Sequence, residues 1–546
     1  MREMKKMNRA NSKTIQFCGW AVLAIVLTGS AFAAVPGITG PTFNLTAQDA
    51  HLNQPDGSAV YSWGYGCSQK PSGFVPQGIA NATCPSMQVP GPTLVVTEGQ
   101  TVTVNLTNNL PAAAGNTSIL FPGFQVATTG GVVGLITQEA APGGSVTYSF
   151  TASSPGTRGY YSGTQGDLQV EMGLYGAIVV LPKNPPANCS AGYHASNLLA
   201  EQHWGESDFR LSTAAYDHPS TCYDREYLFQ WAEMDSRIHR QAEAQVLDPT
   251  RVALCAQGAA TAGCSLSVQT EPYHPAYFLI NGRSMPDLMD PNYAAEYPHQ
   301  PYNGNPHMHP GELVLIRTVG QGRWQHPFHE HANHVRILAR DGNLILTPDG
   351  QALAGILMFN TDTTPGQAFD GIFYFTARGL NWDAYGHHPA PNTPGSPADA
   401  NASLPCTPDP NGYNTGDPTA INYFEWCQDH NKPLQVNPFG DVAAGGPATL
   451  PDPNIFTNGA WYGGTPYLGP DASLRATAPA CDTTQNAGCT TLLPSNTQAN
   501  PANERGWAFM WHSHNEREIT TNNVFPGGML MMMLVDSREF VIDESL

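Results

Sequence analysis

Charge is scarce in this chain: only 12% of its 546 residues are Asp, Glu, Lys or Arg, and 24 basic residues face 44 acidic ones. A formal charge of −20 repels nucleic acid and anionic membranes, so neither is an expected partner. Sustained helical periodicity is missing from the body of the chain. There is no Gly-rich phosphate loop, no nucleophile elbow and no pair of catalytic carboxylates, and no cysteine pair has zinc-finger spacing. Turn formers are abundant instead, with 54 Gly and 47 Pro. Many β-branched residues among them predict short strands joined by long loops, hence an all-β chain.

The first 33 residues read as a signal peptide. Arg2, Lys5, Lys6, Arg9 and Lys13 precede an apolar run from Gly19 to about Leu27, followed by the small-residue site Ala31-Phe32-Ala33. That run is too short to span a bilayer comfortably. The expectation is export to the periplasm or the extracellular space, with no membrane span in the mature chain. Removing this segment, with five basic residues and one acidic, takes the formal charge from −20 to −24. Ten of the 11 cysteines remain, in neighbouring pairs: Cys67/Cys84, Cys189/Cys222, Cys255/Cys264, Cys406/Cys427 and Cys481/Cys489. Connectivity does not follow from spacing, but an exported chain favours disulfides over thiols.

Strand patterning organises the rest. The stretch Gly91–Pro111 reads as an alternating strand, a tight turn at Glu98-Gly99 and a second alternating strand; Ser145–Phe150 alternates strictly, and Gly173–Val180 closes a first sandwich over 40–185. A linker over 186–220 follows. A second sandwich begins at 221, with strands at Arg225–Trp231, Glu312–Arg317, Val335–Ala339 and Phe369–Phe375. Patterning stops from 381 to 504, where Pro, Gly, Asn and Thr dominate and four cysteines fall. This reads as a disulfide-stapled insertion, with a third small domain as the competing reading. The second sandwich resumes over 505–546.

Six of the 18 histidines sit in two dense clusters, His326-Pro-Phe-His329-Glu-His331-Ala-Asn-His334 and His512-Ser-His514. Residues two apart in a strand share a face, so His329 with His331, and His512 with His514, each form a same-face pair. If the strands lie side by side, four imidazoles converge, a donor set that suits copper or zinc and favours Cu(II). The bland alternative is packed or surface histidines. His307-Met308-His309 reads more simply as a solvated loop, and Met529 to Met533 as core packing of a last strand.

These elements resemble the multicopper oxidase family. The first cluster is similar to its HPxHLHGH element, followed by Ala339-Arg-Asp-Gly342, and the second to its HCHI…GM element, with Gly528-Met529 downstream. Gly91–Pro111 resembles the family's opening hairpin and Gly173–Val180 its GLYGxLIV strand. The resemblance implies two cupredoxin-like β-sandwich (Greek-key) domains, copper as cofactor, and His326, His329, His331, His512 and His514 as metal ligands. It also shows what is gone. Leu120 and Pro122, then Tyr161 and Gly163, stand at the four first-domain histidine positions of the trinuclear cluster. Ser513 replaces the blue-copper cysteine and Glu518 that centre's second histidine, while His326 remains and Met529 is a candidate axial ligand. A complete trinuclear cluster and a blue centre are therefore not expected.

The chain reads as an exported copper-binding protein, either an oxidoreductase with a reduced copper site acting on a small reductant or metal ion, or a copper carrier. A structural protein with a vestigial site is the third reading. Homo-oligomerisation is compatible with all three, and no catalytic residue can be assigned.

Overall fold

The computed structural model describes residues 35–76, 79–189, 214–308, 312–375 and 506–536, with Thr407, Pro408, Gly416, the backbone of 464–467 and Ile542 besides. The segment read as a signal peptide, nearly all of the insertion with its four cysteines, His309, His387 and His388 lie outside the described residues.

The first sandwich packs two five-stranded sheets face to face. In chain order its strands are β1 (Gly37–Thr39), β2 (Thr42–Asn53), β3 (Ala59–Cys67), β4 (Phe74–Val75), β5 (Leu94–Thr97), β6 (Thr101–Asn108), β7 (Ala127–Gly130), the small hairpin β8 (Val132–Val133) and β9 (Gln138–Glu139), β10 (Ser145–Thr151), β11 (Gly156–Tyr161) and β12 (Tyr175–Leu181). The sheet orders are β11-β12-β5-β1-β4 and β3-β2-β6-β10-β7. Alternation decides which side each strand buries. In β6, Val102, Val104 and Leu106 are buried while Thr101 is exposed and Thr103 and Asn105 are half-buried, and β10 repeats the pattern with Val146, Tyr148 and Phe150.

The segment read as an opening hairpin is a corner instead. β5 pairs with β1 and β12 in one sheet, β6 with β2 and β10 in the other. Gly99, at φ +81°, makes the turn, and the Gln100 side chain accepts from Thr97 N at 2.9 Å. β5 is apolar on both faces because Leu94 and Val96 enter the first sandwich's core while Val95 packs against the second sandwich.

The second sandwich holds the site. It comprises β13 (Arg225–Met234), β14 (Tyr277–Ile280), β15 (His307–Met308), β16 (Leu313–Gly320), β17 (Pro327–Glu330), β18 (Val335–Arg340), β19 (Asn343–Leu344), β20 (Leu357–Met358), β21 (Asn360–Asp362), β22 (Ala368–Tyr374), β23 (Gly464–Tyr467), β24 (Gly506–Ser513) and β25 (Leu530–Asp536). One sheet runs β14-β13-β16-β22-β18-β19, the other β15-β25-β24-β17-β21. Phe229, Trp231, Phe328, Phe373, Trp511, Met529, Met531 and Met533 fill the space between them, so the terminal methionines are core. His307, read as part of a loop, is in a strand: β15 pairs with β25.

Two helices come between β13 and β14, where strand patterning gave no reading. Helix α1 (Ser236–Val246) is capped by Asp235, whose carboxylate accepts from Arg237 N, and α2 (Pro249–Cys255) by Asp248 with Pro249 in its first turn. Ile238, Ala242 and Val246 of α1 pack into the first sandwich's core. Disulfides Cys67–Cys84, Cys189–Cys222 and Cys255–Cys264 close three of the five neighbouring pairs.

β13 and β16 are buried along their whole length because the first sandwich covers their outer face. Val95, Ala177 and Val179 meet Leu228, Val319 and Ala368 there. A polar knot crosses the same seam. Asp370 accepts from Thr157 N at 3.2 Å, from Thr157 Oγ1 at 2.6 Å and from the Tyr216 hydroxyl, while Arg317 donates to Thr157 Oγ1 at 3.0 Å and to Glu226 at 2.5 Å. Removing one member of such a buried set leaves the others uncompensated. Asp370→Ala is expected to cost about 3–5 kcal/mol in chemical denaturation; a loss below about 1 kcal/mol would contradict this reading of the seam.

Candidate metal site

β17 and β24 lie side by side and antiparallel, with His329 directly opposite His512 and Phe328 opposite Ser513. Side chains alternate, so the partners two residues on, His331 and His514, join the same face. Ring centroids confirm the grouping: His329 is 4.8 Å from His331, 5.4 Å from His512 and 4.9 Å from His514. His331 and His512 are 5.2 Å apart. Ring nitrogens of His329, His331 and His512 all lie within 4.8 Å of one another. His514 stands at the rim, half exposed, with Nδ1 3.6 Å from Glu516.

Backbone carbonyls orient two of the rings. His329 Nδ1 donates to Phe359 O at 2.5 Å and His512 Nδ1 to Ser513 O at 2.7 Å. These bonds assign the proton to Nδ1 and the lone pair to Nε2, the arrangement that metal-ligating histidines use. Trp511 Nε1 donates to His331 O at 3.1 Å and fixes the backbone just beyond β17. Nε2 of His331 and Nε2 of His512 are 3.2 Å apart. Two nitrogens bound at 2.0–2.1 Å in tetrahedral geometry would be separated by about 3.3 Å, so the donor set fits a metal ion.

Burial and the neighbouring imidazoles hold these rings neutral. Desolvation, with His331, His512 and His514 adding to it, pushes His329 down to about 4, and desolvation also lowers His512. Neutral imidazoles are the form that offers a lone pair.

His326 is not brought into this group. Its Nε2 donates to Glu233 at 2.8 Å and its Nδ1 to Glu518 at 2.9 Å, so neither nitrogen points a lone pair at a metal. Pro327 separates it from the strand residues that share the histidine face. Among the acids near the clusters, Glu330 is fully buried on the alternate face of β17 beside Thr361, and burial drives its carboxyl well above the usual range. Glu518 is committed to His326. Glu516 lies 3.6 Å from the His514 ring. Glu233, which faces His326, and Tyr273 and Glu171, which chain on from it, carry no local motif that marks them in the sequence.

The corresponding place in the first sandwich is filled with side chains. Leu120 and Tyr161 form an antiparallel bridge, and a Cβ at Gly163 would come 2.8 Å from Leu120 Cγ. Leucine therefore occupies the room over Gly163 that a second donor pair would need.

Comparison with known proteins accords with this picture in part of the chain. The family described as multicopper oxidase matches residues 76–185, which lie in the first sandwich. A laccase of Aspergillus fumigatus is 36% identical over 99 residues, covering 18% of this chain and 16% of that protein. An L-ascorbate oxidase of Brassica rapa subsp. pekinensis is 33% identical over 125 residues, covering 22% and 21%. Copper resistance protein A of Pseudomonas syringae pv. tomato is 33% identical over 121 residues, covering 22% and 19%. The chain thus spans about a fifth of the length of these relatives. Among solved structures, a blue copper oxidase from Nitrosomonas europaea aligns over 90% of this chain and 85% of its own, with TM-score 0.41 and 15% identity. The matched segment contains Leu120, Pro122, Tyr161 and Gly163, while the histidine group lies outside it. Over residues 76–185 of its first sandwich, the chain is similar to the multicopper oxidase family.

Proposed function

We propose that this is an exported copper-binding protein whose site is reduced to the second sandwich, with His329, His331 and His512 as ligands and His514 at the open edge. The observation that carries the reading is the β17/β24 register, which sets His329 against His512 and brings ring nitrogens of three histidines within 4.8 Å. Similarity to multicopper oxidases over residues 76–185 and an all-nitrogen donor set favour copper over the other divalent ions. Copper held there would supply one-electron redox chemistry.

The protein's own part is to hold the donors. The carbonyls of Phe359 and Ser513 orient His329 and His512, and the Trp511 indole anchors the backbone at His331. Sheet burial keeps His329 and His512 neutral, and the half-exposed His514 gives a small reductant or a metal ion access from solvent. Four-electron reduction of dioxygen is not part of the proposal, because Leu120, Pro122, Tyr161 and Gly163 supply no first-domain imidazole. The same exposure of His514 favours a second reading, a carrier that takes up and releases copper. Oxidation of a phenol or metal ion by the copper-loaded protein separates the two: turnover supports the oxidoreductase, and tight binding without turnover the carrier. Three closed disulfides support an oxidising compartment outside the cytoplasm.

Replacing both His512 and His514 by Ala is expected to weaken copper binding by more than about 100-fold, beyond what loss of an outer-shell partner causes, with the circular dichroism spectrum unchanged. Competition against a chelator measures it; wild-type affinity in the folded double variant would refute the site. Copper loading is also expected to give the paramagnetic resonance of nitrogen-ligated Cu(II) without an intense blue band, since no thiolate stands at Ser513. A blue band would contradict the assignment.

A further inference from the structure

The family's mononuclear copper centre uses positions that here hold His326, Ser513, Glu518 and Met529. They do not fit a copper ion. Both His326 nitrogens are engaged by carboxylates, the Ser513 hydroxyl donates to Glu518 Oε2, and Met529 is packed in the core. What they form is a second constellation with its own chemistry.

Counting donors settles its protonation. Glu233 Oε1 accepts from Arg323 N and Trp324 N, both at 2.8 Å, and lies 3.0 Å from the Tyr273 hydroxyl, while Oε2 faces His326 Nε2. Glu518 Oε1 accepts from Asn515 Nδ2 at 2.8 Å, and its Oε2 faces His326 Nδ1 and the Ser513 hydroxyl. Oxygens surrounded by donors in this way belong to carboxylates, so the ring between them donates from both nitrogens. His326 and both carboxylates have no exposed side-chain surface. Two buried anions need a compensating charge, and the ring supplies one.

We propose that this chain has rebuilt the mononuclear copper pocket as a metal-free clamp, in which the His326 imidazolium bridges Glu233 and Glu518 and ties β17 to β24. The imidazolium stands one residue before β17. The far carboxylate belongs to the turn that follows His514. The clamp thus spans the two segments that carry the histidine pairs, on the side away from them. The Ser513 hydroxyl adds a second tie to Glu518, and Ser513 O is the acceptor that orients His512.

The surrounding titratable groups agree. The side-chain hydrogen bonds from Glu233 and Glu518 outweigh desolvation and raise His326 to about 9. Beyond Glu233, the Tyr273 hydroxyl contacts Glu171 at 2.6 Å as well, and a single phenolic proton cannot satisfy two carboxylates. Burial raises the Glu171 carboxyl above the usual range. Arg323 stacks on Tyr273 at 4.1 Å and pairs with the exposed Glu271, and His239 lies 3.5 Å from Glu171.

The test uses the whole mature chain. In nitrogen-15 NMR of labelled histidine, His326 is expected to carry protons on both nitrogens at pH 7 and to lose one only near pH 9; a neutral ring at pH 7 overturns the clamp. A folded-state pKa above the ordinary 6.5 of imidazole stabilises most below pH 6.5, and that stabilisation is lost as pH rises through about 9. The wild-type unfolding midpoint should fall across that window, and His326→Gln should remove most of the fall while binding as many copper ions as the wild type. A folded His326→Gln protein that binds one ion fewer would make His326 a ligand and overturn the proposal. Should that variant fail to fold, Glu518→Gln serves: the His326 proton affinity should drop at least tenfold, and no change refutes the bridge. The copper count rests on reading the histidine group as the copper site; a wild-type protein that takes up no copper sinks that reading and leaves the NMR result to decide the clamp.

Discussion

The register between β17 and β24 governs what this protein can do. A β-strand shows the same face every second residue, so each His-x-His segment presents two rings together. That property alone makes a pair. The antiparallel alignment of His329 with His512 makes a group, because a slip of one residue would turn one pair into the core and leave the other facing solvent. The core holds the register in place: Phe328 and Trp511 alternate with the histidines and pack with Trp231 and Phe229 between the sheets. The site is therefore the outer side of a packed strand pair, and its precision derives from the hydrophobic side.

The losses are equally local. In the first sandwich, Leu120 covers Gly163 where imidazoles would have to meet, and the bridge between Leu120 and Tyr161 persists without them. The two sandwiches nonetheless keep a close seam of apolar contacts, with Asp370, Thr157, Arg317 and Tyr216 satisfying one another inside it. Similarity to the multicopper oxidases over residues 76–185 and the chemistry of a site are separable, since the first resides in the sandwich frame and the second in particular side chains.

Much of this was legible in the sequence, and the reasons are physical. Alternation marked β6, β10 and the histidine pairs because period two is a local property. The grammar of a tight turn at Glu98-Gly99 was equally local, but it could not say whether β5 and β6 pair with each other or with different sheets. The start signals of α1 and α2, Asp235 and Asp248-Pro249, were present and went unread because they interrupt a β pattern. His326 is less legible. Its partners Glu233 and Glu518 lie 93 and 192 residues away, and a histidine beside a His-x-His motif reads as a ligand until those carboxylates are placed against it.

The central claim is that copper sits on the second-sandwich histidines and nowhere in the pocket of His326. Anomalous scattering at the copper edge from copper-loaded crystals tests it directly. The account predicts a peak within bonding distance of the Nε2 atoms of His331 and His512, and no peak at His326. A copper peak between His326 and Ser513, or none at the histidine group, would contradict it.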